Sequence, residues 1–93
     1  MSILRLEDVK RETGIRAHST IYEAIRDGTF PSPIRIGMRA VGWPSEEIEL
    51  YCNARIAGLQ DDDIRQLVSD MADHRLARLT QLRQKQSAMA LSS

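Results

Sequence analysis

A mostly helical chain with one small β-hairpin is predicted from three observations. Two short amphipathic segments are separated by a five-residue connection that begins with Gly14. A proline-flanked stretch that alternates apolar and basic residues follows them directly. Acid-led helix starts then recur at Pro44-Ser45-Glu46-Glu47 and Asp61-Asp62-Asp63. The chain has 93 residues, 42% hydrophobic and 28% charged, within ordinary globular usage. This is one domain's worth of chain with room for an appended helix.

The first helix is expected over Leu6 to Thr13. Glu7 and Asp8 stand in its first turn, where carboxylates suit the positive end of the helix dipole. Gly14 follows and supplies a left-handed stop. The second helix is expected over Ser19 to Asp27, with Ser19 or its neighbour as the cap. Ile21, Ala24 and Ile25 form its apolar face and Gly28 ends it.

Pro31 and Pro33 favour extended chain. Ile34-Arg35-Ile36 then alternates, Gly37 to Ala40 reads as a turn, and Val41-Gly42-Trp43 as the return strand. Arg35 is expected to point away from Ile34 and Ile36, with Arg39 near the hairpin tip. A third helix starts at Ser45, read as a capping residue, and runs to about Ala57 with Ile48, Cys52 and Ile56 on one stripe. A fourth starts at Asp61 and is expected to reach residue 85. Ile64, Leu67, Val68, Met71, Leu76, Leu79 and Leu82 are its apolar residues, interrupted by His74 and Arg75. Residues 86–93 are expected to form a flexible tail.

Helix, glycine turn, helix, hairpin, helix is the layout of a winged helix-turn-helix with an extra C-terminal helix. A helix about 10–12 Å across fits a major groove about 12 Å wide. The divisions expected are 1–58 for a DNA-binding domain, 59–85 for a C-terminal helix serving dimerisation, and 86–93 for the tail.

Charge balance at first argues the other way. Thirteen basic against thirteen acidic residues give zero formal net charge, where DNA-binding domains are often basic. The charge is nevertheless distributed in blocks. Residues 10–41 carry six basic and three acidic groups, residues 42–63 one basic and six acidic, and residues 74–93 four basic and none acidic. The proposed DNA-facing elements lie in the first, basic block.

The segments Ile3-Leu4-Arg5-Leu6, Thr13-Gly14-Ile15, Ser19-Thr20-Ile21-Tyr22, Asp27-Gly28-Thr29-Phe30-Pro31 and Arg39-Ala40-Val41-Gly42-Trp43 resemble the AlpA family. These are short prophage-associated regulators with a MerR-like winged helix-turn-helix, similar in fold to phage excisionases. The resemblance covers roughly residues 3–57. It implies that Ser19, Thr20 and Tyr22 stand on a recognition helix, Arg39 at the wing tip and Trp43 under the wing. The turn through Arg16-Ala17-His18 is one residue longer than the family's, and Glu23 stands where Arg often follows the tyrosine.

The DNA-contact candidates are Arg16, His18, Ser19, Thr20, Tyr22, Arg26, Arg35 and Arg39. Arg16 is favoured as a base contact because its guanidinium can donate two hydrogen bonds to a guanine edge. Arg35 and Arg39 are favoured as wing contacts, and Arg26 as a phosphate contact. For Ser19 the plain alternative is a helix cap, and for Tyr22 core packing. Glu23 is expected to pair with a nearby arginine or to repel wrong bases.

Catalysis is not expected. Cys52 falls on an apolar stripe, the paired acids are helix starts, and no glycine loop cradles phosphate. No cofactor or metal is expected: His18 lacks a ligand cluster around it. No apolar run approaches the roughly 18 residues of a membrane span, and the single cysteine excludes an internal disulfide framework. The expected location is cytoplasmic, on the nucleoid. The expected partners are double-stranded DNA and a second copy of the chain, with no small-molecule substrate. An excisionase-like factor that bends DNA, and an adaptor that binds proteins through the last helix, are the alternative readings.

Overall fold

The computed structural model describes the backbone of residues 2–92 and the side chains of residues 2–87. The elements are β1 (Ile3–Leu4), α1 (Leu6–Thr13), α2 (His18–Asp27), β2 (Ile34–Arg35), β3 (Val41–Pro44), α3 (Ser45–Ile56) and α4 (Asp61–Ser92). The expected fold class is the observed one: mostly helical, with a small antiparallel sheet.

The helix starts differ in detail from the sequence expectation. Arg5 occupies the cap of α1, and its N–H donates to the Asp8 carboxylate at 3.2 Å. Gly14, at φ 76°, ends α1 by donating its N–H to the Lys10 carbonyl. The cap of α2 is Ala17, so His18 opens the helix and Ser19 lies inside the first turn. The cap of α3 is Pro44, and Ser45 is already helical. The Ser45 hydroxyl instead accepts the Ser2 N–H at 3.2 Å, and the Ser45 N–H donates to the Ser2 carbonyl at 2.8 Å.

That pair of bonds belongs to a third strand that the sequence did not reveal. The sheet order is β1-β3-β2. Ile3 faces Pro44 and Leu4 faces Trp43 on one side of β3, while Ile34 faces Gly42 and Arg35 faces Val41 on the other. Gly42 is buried where β1 crosses it. A Cβ at that position would collide with Ile3 Cγ2 and lie 3.0 Å from the Leu4 carbonyl oxygen, so any other residue would force β1 to shift.

The core draws on all four helices, on β3 and on the link after α2: Val9, Ile21, Phe30, Trp43, Ile48, Tyr51, Ala54, Ile64 and Met71. Phe30 sits edge-on to both Trp43, at 6.4 Å between ring centres, and Tyr51, at 4.8 Å. The Trp43 indole N–H donates to the Pro31 carbonyl at 2.8 Å. This satisfies the buried indole and fixes the proline-rich link between α2 and the wing. Trp43 is thus a core residue, as its place in the sequence suggests.

The fourth helix completes this core before it leaves it. Ile64 and Met71 are buried, and Leu67 and Val68 pack beside them. Arg75, which interrupts the apolar stripe in sequence, is the tie that closes this contact. Its Nε donates to Glu47 Oε2 at 2.8 Å, and its Nη2 donates to Glu47 Oε1 and to the Ser32 carbonyl, the latter at 2.7 Å. Beyond it α4 continues past Lys85 to Ser92, further than the sequence suggested, and Ser93 lies outside the described residues.

Replacing Arg75 by alanine should therefore lower stability. It strands the Glu47 carboxylate, whose side chain is only 13% exposed, and unpaired buried polar groups cost about 1–3 kcal/mol. A fall in melting temperature of about 5–15 °C is expected in a circular-dichroism melt. An unchanged midpoint would show that the tie does not form in solution.

Candidate nucleic-acid interface

The helix α2 buries Ile21 and half-buries Ala24 and Ile25. Its opposite face carries Ser19, Tyr22, Glu23 and Arg26, at the i, i+3, i+4, i+7 spacing of one helical stripe. All four are exposed, and Thr20 is exposed on the flank. Tyr22 is 44% exposed, so it is not a core residue. Ala17 has no side chain able to cap α2. The first N–H groups of this helix therefore have no side-chain cap, the arrangement in which a helix start accepts an anion.

Two features hold α2 in place from behind. Arg65 of α4 donates from Nε to the Asp27 carbonyl at the end of α2, at 3.0 Å. The Thr29 N–H and hydroxyl both donate to the Ala24 carbonyl, at 2.9 and 3.3 Å. With Arg75 bonded to Ser32, α4 grips both the second helix and the link that leads to the wing. Neither the Arg65 tie nor the Arg75 tie was legible in the sequence. Their partners lie 38 and 43 residues away, and no local pattern encodes that pairing.

The pairing of the basic residues sorts the candidates. Lys10, Arg11, Arg55, Arg65, Arg75 and Arg78 each form an ion pair within the chain. Among the described residues, Arg5, Arg16, Arg26, Arg35, Arg39, Arg83 and Lys85 form none, and all are exposed. Arg16, Arg26, Arg35 and Arg39, the arginines among the eight DNA-contact candidates, are all in this second group. Arg5, at the junction of β1 and α1, joins them and was missed. Its only sequence signal is its place in the Ile3-Leu4-Arg5-Leu6 segment.

His18 differs: its Nε2 lies 3.6 Å from Glu7 Oε1, a contact between α2 and α1 that carries charge only when the ring is protonated. Glu23 forms no ion pair among the described residues, so the expected pairing with an arginine is not seen. It stands instead on the exposed stripe between Ser19 and Arg26.

The wing is short. The Ile36 N–H donates to the Ala40 carbonyl at 3.0 Å, closing a loop of Gly37, Met38 and Arg39. Arg39 is in the loop and Arg35 is on the strand that leads into it. Met38 is the middle residue of the loop and is 96% exposed.

The remaining candidate for chemistry is Cys52, in a cleft of about 370 Å³ also lined by Leu4, Glu12, Ser45, Ile48, Glu49 and Asn53. Its thiol donates to the Glu12 carbonyl at 3.7 Å. Burial, then the Glu12 charge, push its pKa up, away from a reactive thiolate. Among the described residues no group of His, Cys, Asp and Glu is placed to hold a metal ion, and no helix is long and apolar enough to cross a membrane.

Residues 2–56 match the family model described as prophage CP4-57 regulatory protein (AlpA), a span that ends with α3 and leaves α4 outside. The chain is 40% identical over 55 residues to the uncharacterized protein ORF88 of Enterobacteria phage P4, covering 59% of this chain and 61% of that protein. It is 37% identical over 59 residues to the DNA-binding transcriptional activator AlpA of Escherichia coli (strain K12), covering 57% of this chain and 83% of that protein. No solved structure matches it. A match through every element from β1 to α3, including the sheet and the exposed stripe of α2, places this chain in the AlpA family of prophage regulatory proteins.

Proposed function

We propose that this chain is a sequence-specific, double-stranded DNA-binding transcriptional regulator with no enzymatic activity. The observation that carries the reading is the sorting of the arginines. Those on α2, its preceding turn and the wing have no carboxylate partner among the described residues. The arginines of α3 and of α4 as far as Arg78 are neutralised by partners. Unpaired guanidinium groups are available to phosphate and base edges. The family relative of Escherichia coli whose name states DNA binding supports it.

In this reading α2 enters the major groove. Arg16, Ser19, Thr20 and Tyr22 meet base edges and nearby phosphates, with His18 at the helix start. Arg26 meets a phosphate, and Arg35 and Arg39 hold the adjacent backbone or minor groove. Fluorescence anisotropy with labelled duplex at low salt tests it. Saturable binding that prefers duplex to single strand supports the reading, and absence of binding to any duplex defeats it.

The division of labour along α4 follows. Residues 61–75 are part of the DNA-binding body, and the stretch beyond is an association arm. Leu76, Leu79 and Leu82 are 67%, 44% and 52% exposed, and pairing with a second copy would bury them. Two copies would present two α2 helices to two half-sites. Because Ile64 and Met71 belong to the core, truncation at Gly58 would also damage the fold. Leu76→Gln, Leu79→Gln and Leu82→Gln together are the cleaner change. In sedimentation equilibrium the wild type should dimerise with rising concentration and the triple variant should stay monomeric. Identical curves would remove the arm from the account.

A further inference from the structure

We propose that Met38 is a wedge that enters the DNA minor groove and partly unstacks one base step beneath the wing. The inference rests on the DNA-binding reading above and adds a mechanical role to it.

The apex of the wing is where a basic hairpin meets its partner first. Here the apex residue is neither charged nor small. Met38 is the middle residue of a three-residue loop closed by the Ile36–Ala40 hydrogen bond, and at 96% it is the most exposed of the large hydrophobic residues described. Lone exposed hydrophobic residues are common and need no role. Two further facts set this one apart. Ile36, at the base of the same loop, is also exposed, at 42%, so the hairpin end carries a second exposed apolar residue. Arg35 and Arg39 flank it in sequence, both exposed and without an ion pair among the described residues. An apolar tip on a hairpin that also carries two exposed guanidinium groups suits the surface it would meet, a stacked base step bordered by phosphate backbone.

The dimensions agree. The minor groove is about 6 Å wide and admits a single side chain. Methionine is unbranched and adjusts its shape to an irregular gap. Apolar side chains inserted between base steps from this groove unstack them and bend the duplex toward the major groove. Pyrimidine–purine steps, the easiest to unstack, would be preferred under the wing. Met38 would then contribute to sequence preference without a hydrogen bond to any base.

The test uses the full chain and a duplex selected by it from a random library. Footprinting locates the step under the wing, and 2-aminopurine replaces the adenine there. Wild-type protein should raise the 2-aminopurine fluorescence on binding and bend the duplex, read as a change in end-to-end energy transfer. Met38→Ala should retain binding within about tenfold, because the salt bridges to phosphate are untouched, yet lose most of the fluorescence rise and of the bend. Met38→Leu should keep both, and Met38→Lys should bind without either. Met38 touches little of its own chain, so these variants should keep the wild-type melting temperature. If Met38→Ala binds and gives the wild-type fluorescence and bend, the wedge is wrong and the DNA reading stands. The same holds if wild-type binding leaves the 2-aminopurine stacked and the duplex straight. If the wild type binds no duplex at low salt, the DNA reading fails and the wedge falls with it.

Discussion

Replacing Trp43 by alanine should lower the melting temperature by at least about 12 °C. Removal of a fully buried Trp costs about 3–5 kcal/mol, and each kcal/mol moves the midpoint of a chain this small by about 4–8 °C. Trp43 is fully buried, contacts Phe30 edge-on, and stands on the central strand of the sheet. Its loss also leaves the Pro31 carbonyl without the indole donor. Stability of this order is a large share of the ~5–15 kcal/mol available to a small domain. Trp43→Phe keeps the ring and loses the hydrogen bond, so it should fall between the two. A Trp43→Ala midpoint within 3 °C of wild type would mean that the sheet does not pack on the helices as described.

The second large effect is on binding. Joint replacement of Arg35 and Arg39 by alanine should weaken duplex affinity about 30-fold at 0.15 M salt. Each phosphate contact contributes about 0.9 to the slope of log affinity against log salt. Two lost contacts should therefore reduce that slope by about 1.8, with the affinities converging near 1 M. Neither side chain has an ion-pair partner among the described residues, so stability should be little changed. Arg78→Ala is the control: its guanidinium lies 3.9 Å from Glu46 on the far helices, and the slope should not move. Equal slopes for wild type and the double variant would remove the wing from the interface.

How much of this was legible in the sequence depends on the range of the interaction concerned. The bounds of α1 follow from the Glu7-Asp8 start and the Gly14 stop, both local signals, and the structure keeps them. The hairpin was visible in the alternation around Arg35. Strand β1 was not, because two residues carry no period and their partner lies some 40 positions away. Ser19 and Ser45 look like caps, yet the chain enters each helix earlier, and Ser45 spends its hydroxyl on Ser2. Arg75 looked like a flaw in an apolar stripe. Only the fold, by setting Glu47 and Ser32 beside it, makes it a tie.

The site shows the same division. Residue types and spacing on α2 named Ser19, Tyr22 and Arg26 as neighbours on a face, and the exposed stripe contains them. Which arginines lack partners is a tertiary fact. The zero net charge conceals it, because most of the acidic block of residues 42–63 lies on α3 and the start of α4, where four of its carboxylates pair with arginines of those same helices. The basic groups left over lie on β1's edge, α2, the wing and the end of α4.

The central claim is that α2, with Arg16 ahead of it, reads base sequence. The most direct measurement is selection of bound duplexes from a random library by the full chain, repeated with Arg16→Ala and with Thr20→Ala. One enriched motif is expected for the wild type, with preference relaxed at one or two positions in each variant. Paired inverted half-sites would match a dimeric regulator, and tandem direct repeats an excisionase-like assembly. No enrichment over the starting library, or the same motif from all three proteins, would contradict it.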